Sequence, residues 1–121
     1  MTTPVLEPPT LDDIRTAHAR IGREVVRTPL VRLGVDGPAE IYLKLENLQP
    51  IGSFKLRGAA NAMAQASDAE IARGVFTASA GNMAQGVAWC ARARGVPCGV
   101  VVPDTVPFSG RLYSIDWFIA L

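Results

Sequence analysis

Val75-Phe76-Thr77-Ala78, Ser79-Ala80-Gly81-Asn82, Ala84 to Arg94, Gly95 and Cys98-Gly99-Val100-Val101-Val102 read in turn as strand, polar turn, helix, stop and strand. The first strand is expected to be buried, and Pro103 halts the second. Strand, helix and strand joined by short connections argue for a parallel α/β unit, because parallel strands need a crossover between them. In such units ligands bind beyond the carboxyl ends of the strands, which is where Ser79 to Asn82 falls. The chain offers about two or three strands to that sheet, fewer than the usual four to six, so exposed apolar faces are expected.

Upstream, Gly52-Ser53-Phe54-Lys55-Leu56-Arg57-Gly58 sets a lysine in a glycine-bracketed turn at the mouth of a helical pattern. Leu56, Ala59, Ala60 and Met63 line a narrow face of small residues that permits close packing, and Arg57 points elsewhere than Lys55. Ser67 to Glu70 supplies a capping box for a short helix ending near Gly74. Ile41 to Leu45 reads as a strand with one better-buried face, after an Asp36-Gly37-Pro38 turn and an extended Arg27 to Val31. Thr10 caps a first helix carrying Leu11, Ile14 and Ile21, which Gly22 stops. Residues 1–10 are expected to be a flexible arm.

The 49% apolar content is ample for a core, and twelve basic against eleven acidic residues leave a net charge of +1. Neither sign is blocked together, so no field that would gather nucleic acid is expected. No apolar run approaches the roughly 18 residues of a membrane span, and Met1 to Thr10 lacks the pattern of a signal peptide, which makes the cytoplasm the expected compartment. Cys90 and Cys98 are read as reduced thiols, with no ligand cluster for a metal around them.

Chemistry can reside in Lys55 and in the Ser79-Ala80-Gly81-Asn82 turn. A lysine amine condenses with a substrate or cofactor carbonyl if it is held rigidly; the alternative is a solvated lysine beside a turn. Successive backbone amides ahead of a helix receive a carboxylate or phosphate; the alternative is simple capping by Asn82. His18 is read as structural, and Met63, Met83 and Trp89 as packing residues. The phosphate-loop and dinucleotide glycine motifs are both absent.

Two blocks then carry a resemblance. Lys44-Leu45-Glu46-Asn47-Leu48-Gln49-Pro50-Ile51-Gly52-Ser53-Phe54-Lys55-Leu56-Arg57-Gly58-Ala59 resembles the cofactor-lysine segment of the fold-type II pyridoxal-phosphate enzymes, and Ser79-Ala80-Gly81-Asn82-Met83-Ala84-Gln85-Gly86 resembles their substrate-carboxylate loop. The match is closest to threonine and serine dehydratases, with serine racemase a near relative. It implies a partial tryptophan-synthase-β-like fold, parallel strands with flanking helices, incomplete at the C-terminus. Residues 11–107 would be the partial catalytic region and 108–121 a divergent, irregularly packed tail.

The resemblance implies that Lys55 carries pyridoxal 5′-phosphate and then takes the substrate α-proton. Phe54 would pack beside the cofactor and Asn82 would donate to its 3′ oxygen. Ser79, Ala80 and Gly81, with Asn82, would present amides to the substrate carboxylate. The implied reaction is β-elimination from L-threonine, and L-serine more slowly, giving ammonia and a 2-oxo acid. Racemising relatives carry serine at the position of Ala80, so alanine favours the lyase over a racemase; a β-replacement synthase shares the early chemistry. Met83 stands where the family has histidine. The residues that hold the cofactor phosphate and its ring nitrogen belong to later parts of such enzymes. The 121-residue chain alone is therefore expected to be inactive, or to act as a non-catalytic, anion-binding α/β module. Full-length relatives are expected to be homo-oligomers.

Overall fold

The computed structural model describes residues 7–103 and the backbone of 117–120. Helix α1 spans Leu11–Ile21, and a reciprocal capping box between Thr10 and Asp13 satisfies its first amides. Strands β1 (Leu30–Arg32) and β2 (Tyr42–Lys44) form a two-stranded antiparallel ribbon with Val31 opposite Leu43. A 3-10 turn, Glu46–Leu48, leads toward α2 (Lys55–Gln65). The short helix α3 (Asp68–Ile71) carries the expected capping box between Ser67 and Glu70. Strand β3 (Val75–Ala78), helix α4 (Asn82–Arg94) and strand β4 (Cys98–Val102) follow, and Gly95 closes α4 at a φ of 66°.

β3 and β4 pair in parallel, Val75 opposite Cys98 and Ala78 opposite Val101, as the strand-helix-strand reading predicts. A third parallel strand, β5 (Trp117–Ala120), pairs with β4 through Gly99 opposite Trp117. The aromatic tail therefore contributes a sheet strand where the sequence suggests irregular packing; the rest of 108–121 lies outside the described residues, as do 1–6 of the expected arm. No helix among the described residues is long and apolar enough to cross a membrane.

The core forms where α2 packs on α4 and α4 lies against β3 and β4. Leu56 and Val100 are completely buried at its centre, each contributing roughly 1.5–3 kcal/mol of burial free energy. All four residues assigned to the inner face of α2, Leu56, Ala59, Ala60 and Met63, are buried. Ala84, Ala88 and Ala91 of α4 belong to the same buried cluster. Small residues on both helices let the axes approach closely, so the contact is made largely by backbone and methyl groups.

Three expectations need correction. β3 is not a buried strand: Val75 and Thr77 are half-buried, and Phe76 is 72% exposed. Its outer face has no layer against it among the described residues, and the Phe76 ring lies over Gly99 of β4, where a Cβ would approach it to 2.5 Å. β2 has no better-buried face, because Tyr42, Leu43 and Lys44 are all exposed on a ribbon without a covering layer. α1 forms with the expected ends, yet only Ile21 of its apolar stripe is buried, and His18 is exposed near its last turn.

Candidate functional site

The two candidate segments meet at the crossing of α2 and α4. A Cβ built on Gly86 would lie 3.3 Å from the Lys55 carbonyl oxygen and 3.3 Å from the Ala59 Cβ. Gly86 is thus the point at which the backbone carrying Lys55 rests on α4. Asn82 is four residues earlier on α4 and so projects from the same side of that helix, one turn toward its N-terminus. The crossing sets the Lys55 backbone about one helical turn along α4 from the Ser79–Asn82 turn.

Lys55 is half-buried, and its Nζ sits 4.9 Å from the centroid of the exposed Phe54 ring. That distance is within the range of cation–π attraction, worth about 0.5–1 kcal/mol at an exposed site. Across the crossing, α4 begins at Gly81 without a side-chain cap, and a Cβ on Gly81 would meet nothing within 4 Å. The Gly81 amide donates to Ser79 Oγ at 3.2 Å, which folds the turn on itself. Ala80, Gly81 and Asn82 are exposed. The first amides of α4 consequently open onto space at the positive end of the helix, an arrangement suited to a carboxylate.

A cleft of about 480 Å³ adjoins this turn at the carboxyl ends of β3 and β4, lined by Ala78, Ser79, Ala80, Val101, Val102 and Pro103. Lys55 and Asn82 do not line it. The Lys55 backbone lies at the helix crossing and Asn82 one turn along α4, and this cleft does not join them. A half-exposed amine, an aromatic ring beside it and uncapped amides across from it fit a cofactor aldehyde and an amino-acid carboxylate.

Sequence reasoning missed the network beneath Lys55. Glu46 receives a two-pronged bond from Arg57, Nε to Oε2 and Nη2 to Oε1, both at 2.8 Å. Gln49 Nε2 also donates to Glu46 Oε2 at 3.2 Å, and the Thr28 hydroxyl donates to Oε1. Buried Gln49 exchanges two hydrogen bonds with the Val26 backbone, at 2.9 and 2.8 Å. Lys44 Nζ donates to the Thr28 carbonyl. The opposite charges of Glu46 and Arg57, flanking the lysine turn, were the available signal.

The Arg57 fork, aided by Thr28 and Gln49 and opposed by burial, holds the Glu46 carboxyl down at about 2 from an ordinary 4.5. Because the folded value lies below the unfolded one, the associated stability is present in full above pH 4.5 and is lost as pH falls toward 2. Glu46→Gln should therefore destabilise the chain by on the order of 2 kcal/mol at pH 7, with the gap closing on acidification. Urea unfolding at pH 7, 4 and 2.5 checks this; a gap that does not depend on pH would refute it.

Cys90 and Cys98 are buried and form no disulfide. Burial pushes the Cys90 thiol up to about 11, so it is an inert packing group, as expected of a cysteine away from the strand ends. No cluster of metal-ligating side chains occurs among the described residues.

The family described as "Pyridoxal-phosphate dependent enzyme" matches residues 21–116. The L-threonine ammonia-lyase of Thermotoga maritima is 48% identical over 103 residues, 83% of this chain and 26% of that protein. The serine racemase of Dictyostelium discoideum is 42% identical over 101 residues, 81% of this chain and 31% of that protein. Among solved structures, maize serine racemase superposes with a TM-score of 0.82 at 34% identity, covering 92% of this chain and 36% of that one. The chain spans about a quarter to a third of the length of these relatives.

Proposed function

The chain belongs to the pyridoxal-phosphate dependent enzyme family, within the fold-type II group of threonine and serine dehydratases and serine racemases, and on that premise we propose that it supplies the amine and the carboxylate loop of an L-threonine ammonia-lyase. L-Serine would be a slower substrate. The products are a 2-oxo acid and ammonia. The observation that supports this reading is the α2–α4 crossing, where the Lys55 carbonyl lies against Gly86, one turn into the helix whose start carries the Ser79–Asn82 turn.

Each residue then has a task. Lys55 would hold the cofactor through Nζ, and the same amine, when free, would take the substrate α-proton. The cofactor, when bound, supplies a ring that accepts the electron pair left at the α-carbon. Phe54, beside the amine, offers an apolar surface to that ring, and Asn82 donates a hydrogen bond to its 3′ oxygen. In the Ser79–Asn82 turn the Ser79 amide is held by the Val101 carbonyl at 3.1 Å and the Gly81 amide by Ser79 Oγ at 3.2 Å, so the amides of Ala80 and Asn82 would orient the substrate carboxylate at the positive end of α4. Ala80 carries no group that can exchange a proton with the opposite face, which favours elimination over inversion of the α-carbon.

The test is a chimera in which residues 1–103 replace the matching segment of the Thermotoga maritima enzyme. L-Threonine should give 2-oxobutanoate, with turnover lost in the Lys55→Ala version. Inversion of L-serine without oxo-acid production would favour a racemase instead. The 121-residue chain alone is expected to form an adduct with little turnover, since one covalent bond does not hold the ring's orientation. Turnover by that chain would overturn the expectation.

A further inference from the structure

We infer that the Glu46–Arg57 ion pair, by closing the turn between the 3-10 helix and α2, is the positioning device of the Lys55 amine. What the pair does for catalysis rests on Lys55 being the reactive amine proposed above; that it orients the amine does not.

The helix that carries Lys55 begins on short-range bonds, the Leu56 and Arg57 amides reaching the Ser53 and Phe54 carbonyls at 3.5 and 3.0 Å. Its N-cap position is Phe54, which has helical backbone angles and no side chain able to bond the first amides. The Lys55 amide reaches only the buried Ser53 Oγ, at a long 3.3 Å. A first turn in which two of three amide bonds are this long is weakly fixed, and Lys55 is its first residue. Gly52 just before it has a φ of 68°, a conformation that the chain does not hold by steric preference alone.

Arg57 ties that turn to the rest of the fold from within it. Its guanidinium reaches back to Glu46 with two parallel bonds and donates from Nη2 to the Val26 carbonyl at 3.1 Å. Glu46 is anchored in turn by Gln49 and Thr28, both buried. The turn from residue 46 to residue 57 is therefore pinned at both ends, with Phe54 and Lys55 held between. Side-chain exposures of 28% for Arg57 and 16% for Glu46 place the pair largely out of water, where a two-pronged bond resists exchange with solvent. A negative charge near the start of α2 also complements the helix dipole.

A second ion pair provides the control. Arg94 bonds Glu24 at 3.1 Å with similar exposure, 24% and 27%, and ties the end of α4 to the segment after α1. Breaking it should weaken the fold without loosening the lysine turn. Lys44, the other lysine of the chain, serves as an internal reference.

The experiment uses the full 121-residue chain, as wild type and as Glu46→Gln, Arg57→Lys and Glu24→Gln. The first readout needs no cofactor: the Phe54 ring beneath Nζ should shift the Lys55 ε-methylene resonances upfield of those of Lys44. The second is the ratio of Lys55 to Lys44 adduct after treatment with pyridoxal 5′-phosphate and borohydride, read by peptide mass. Glu46→Gln is expected to abolish most of the upfield shift and to lower the ratio about tenfold, the loss expected for a charge-assisted bond. Arg57→Lys, which keeps the charge but not the fork, should retain part of both. Glu24→Gln should leave both within about twofold of wild type. A shift and ratio that persist in Glu46→Gln overturn the positioning role, as does an equal loss in Glu24→Gln, which would mark general loosening. If the shift responds as expected while wild-type adduct divides evenly between the two lysines, the positioning role stands and the cofactor assignment of Lys55 falls.

Discussion

Replacing Lys55 by alanine is expected to remove the pyridoxal 5′-phosphate adduct while leaving the fold intact. The borohydride-stabilised product on the peptide containing residue 55 should fall by on the order of 100-fold, because Lys55 is the one lysine in the sequence of α2 and α4. Lys44, with its amine bonded to the Thr28 carbonyl on the exposed ribbon, should keep only slow, unspecific labelling. Stability should change little. The side chain is half-exposed, its contact with Phe54 is worth at most about 1 kcal/mol, and alanine is the better helix former. Total adduct that stays at the wild-type level in Lys55→Ala would show that the turn has no special amine and would remove the basis of the proposed activity.

The second large effect is expected from packing. Valine at Gly86 should destabilise the chain by about 3 kcal/mol, since its γ-carbons must enter a contact that already leaves a Cβ 3.3 Å from the Lys55 carbonyl and the Ala59 Cβ, and 3.5 Å from Ile51 Cδ1. Two of those neighbours, a backbone carbonyl and an alanine methyl, have no rotamer by which to withdraw. Gly86→Ala separates close approach from volume: its Cβ fits with a shift of a few tenths of an ångström, and its helix propensity returns up to about 1 kcal/mol. Denaturant unfolding of the two variants measures the difference. Valine tolerated as well as alanine would mean that the helices do not cross at Gly86. Because the displaced group is the Lys55 backbone, Gly86→Val should also lower selective labelling of Lys55.

Much of the local structure was legible because its signals are local. Thr10 with Asp13 and Ser67 with Glu70 mark helix starts through bonds between neighbours in sequence, and both capping boxes form. Gly95 marks the end of α4 through its own backbone angles, and the small-residue face of α2 is buried as its spacing requires. The parallel pairing of β3 and β4 follows from the helix that separates them. Burial of the strands was not legible in the same way. Apolar alternation shows which side chains would gain from burial, but burial needs a second layer, and a strand does not encode whether one lies against it. Phe76, and Leu30 at 64% exposure, show the difference.

The sequence by itself determined the identity of the candidate groups: the glycine-bracketed Lys55, the Ser79–Asn82 turn and the order of strand and helix that sets the turn at a strand end. Those properties depend on residues within a few positions of each other. Only the tertiary structure decided that the two segments share a crossing, that Gly86 is its contact point and that Arg57 folds back onto Glu46 beneath the lysine. Helical spacing placed Arg57 away from Lys55 and stopped there, because a side chain's direction does not reveal its partner. That partner is eleven residues away along the chain. It meets Arg57 only because Gln49 and Thr28 anchor the intervening turn, and the contact therefore depends on the whole arrangement rather than on any one stretch.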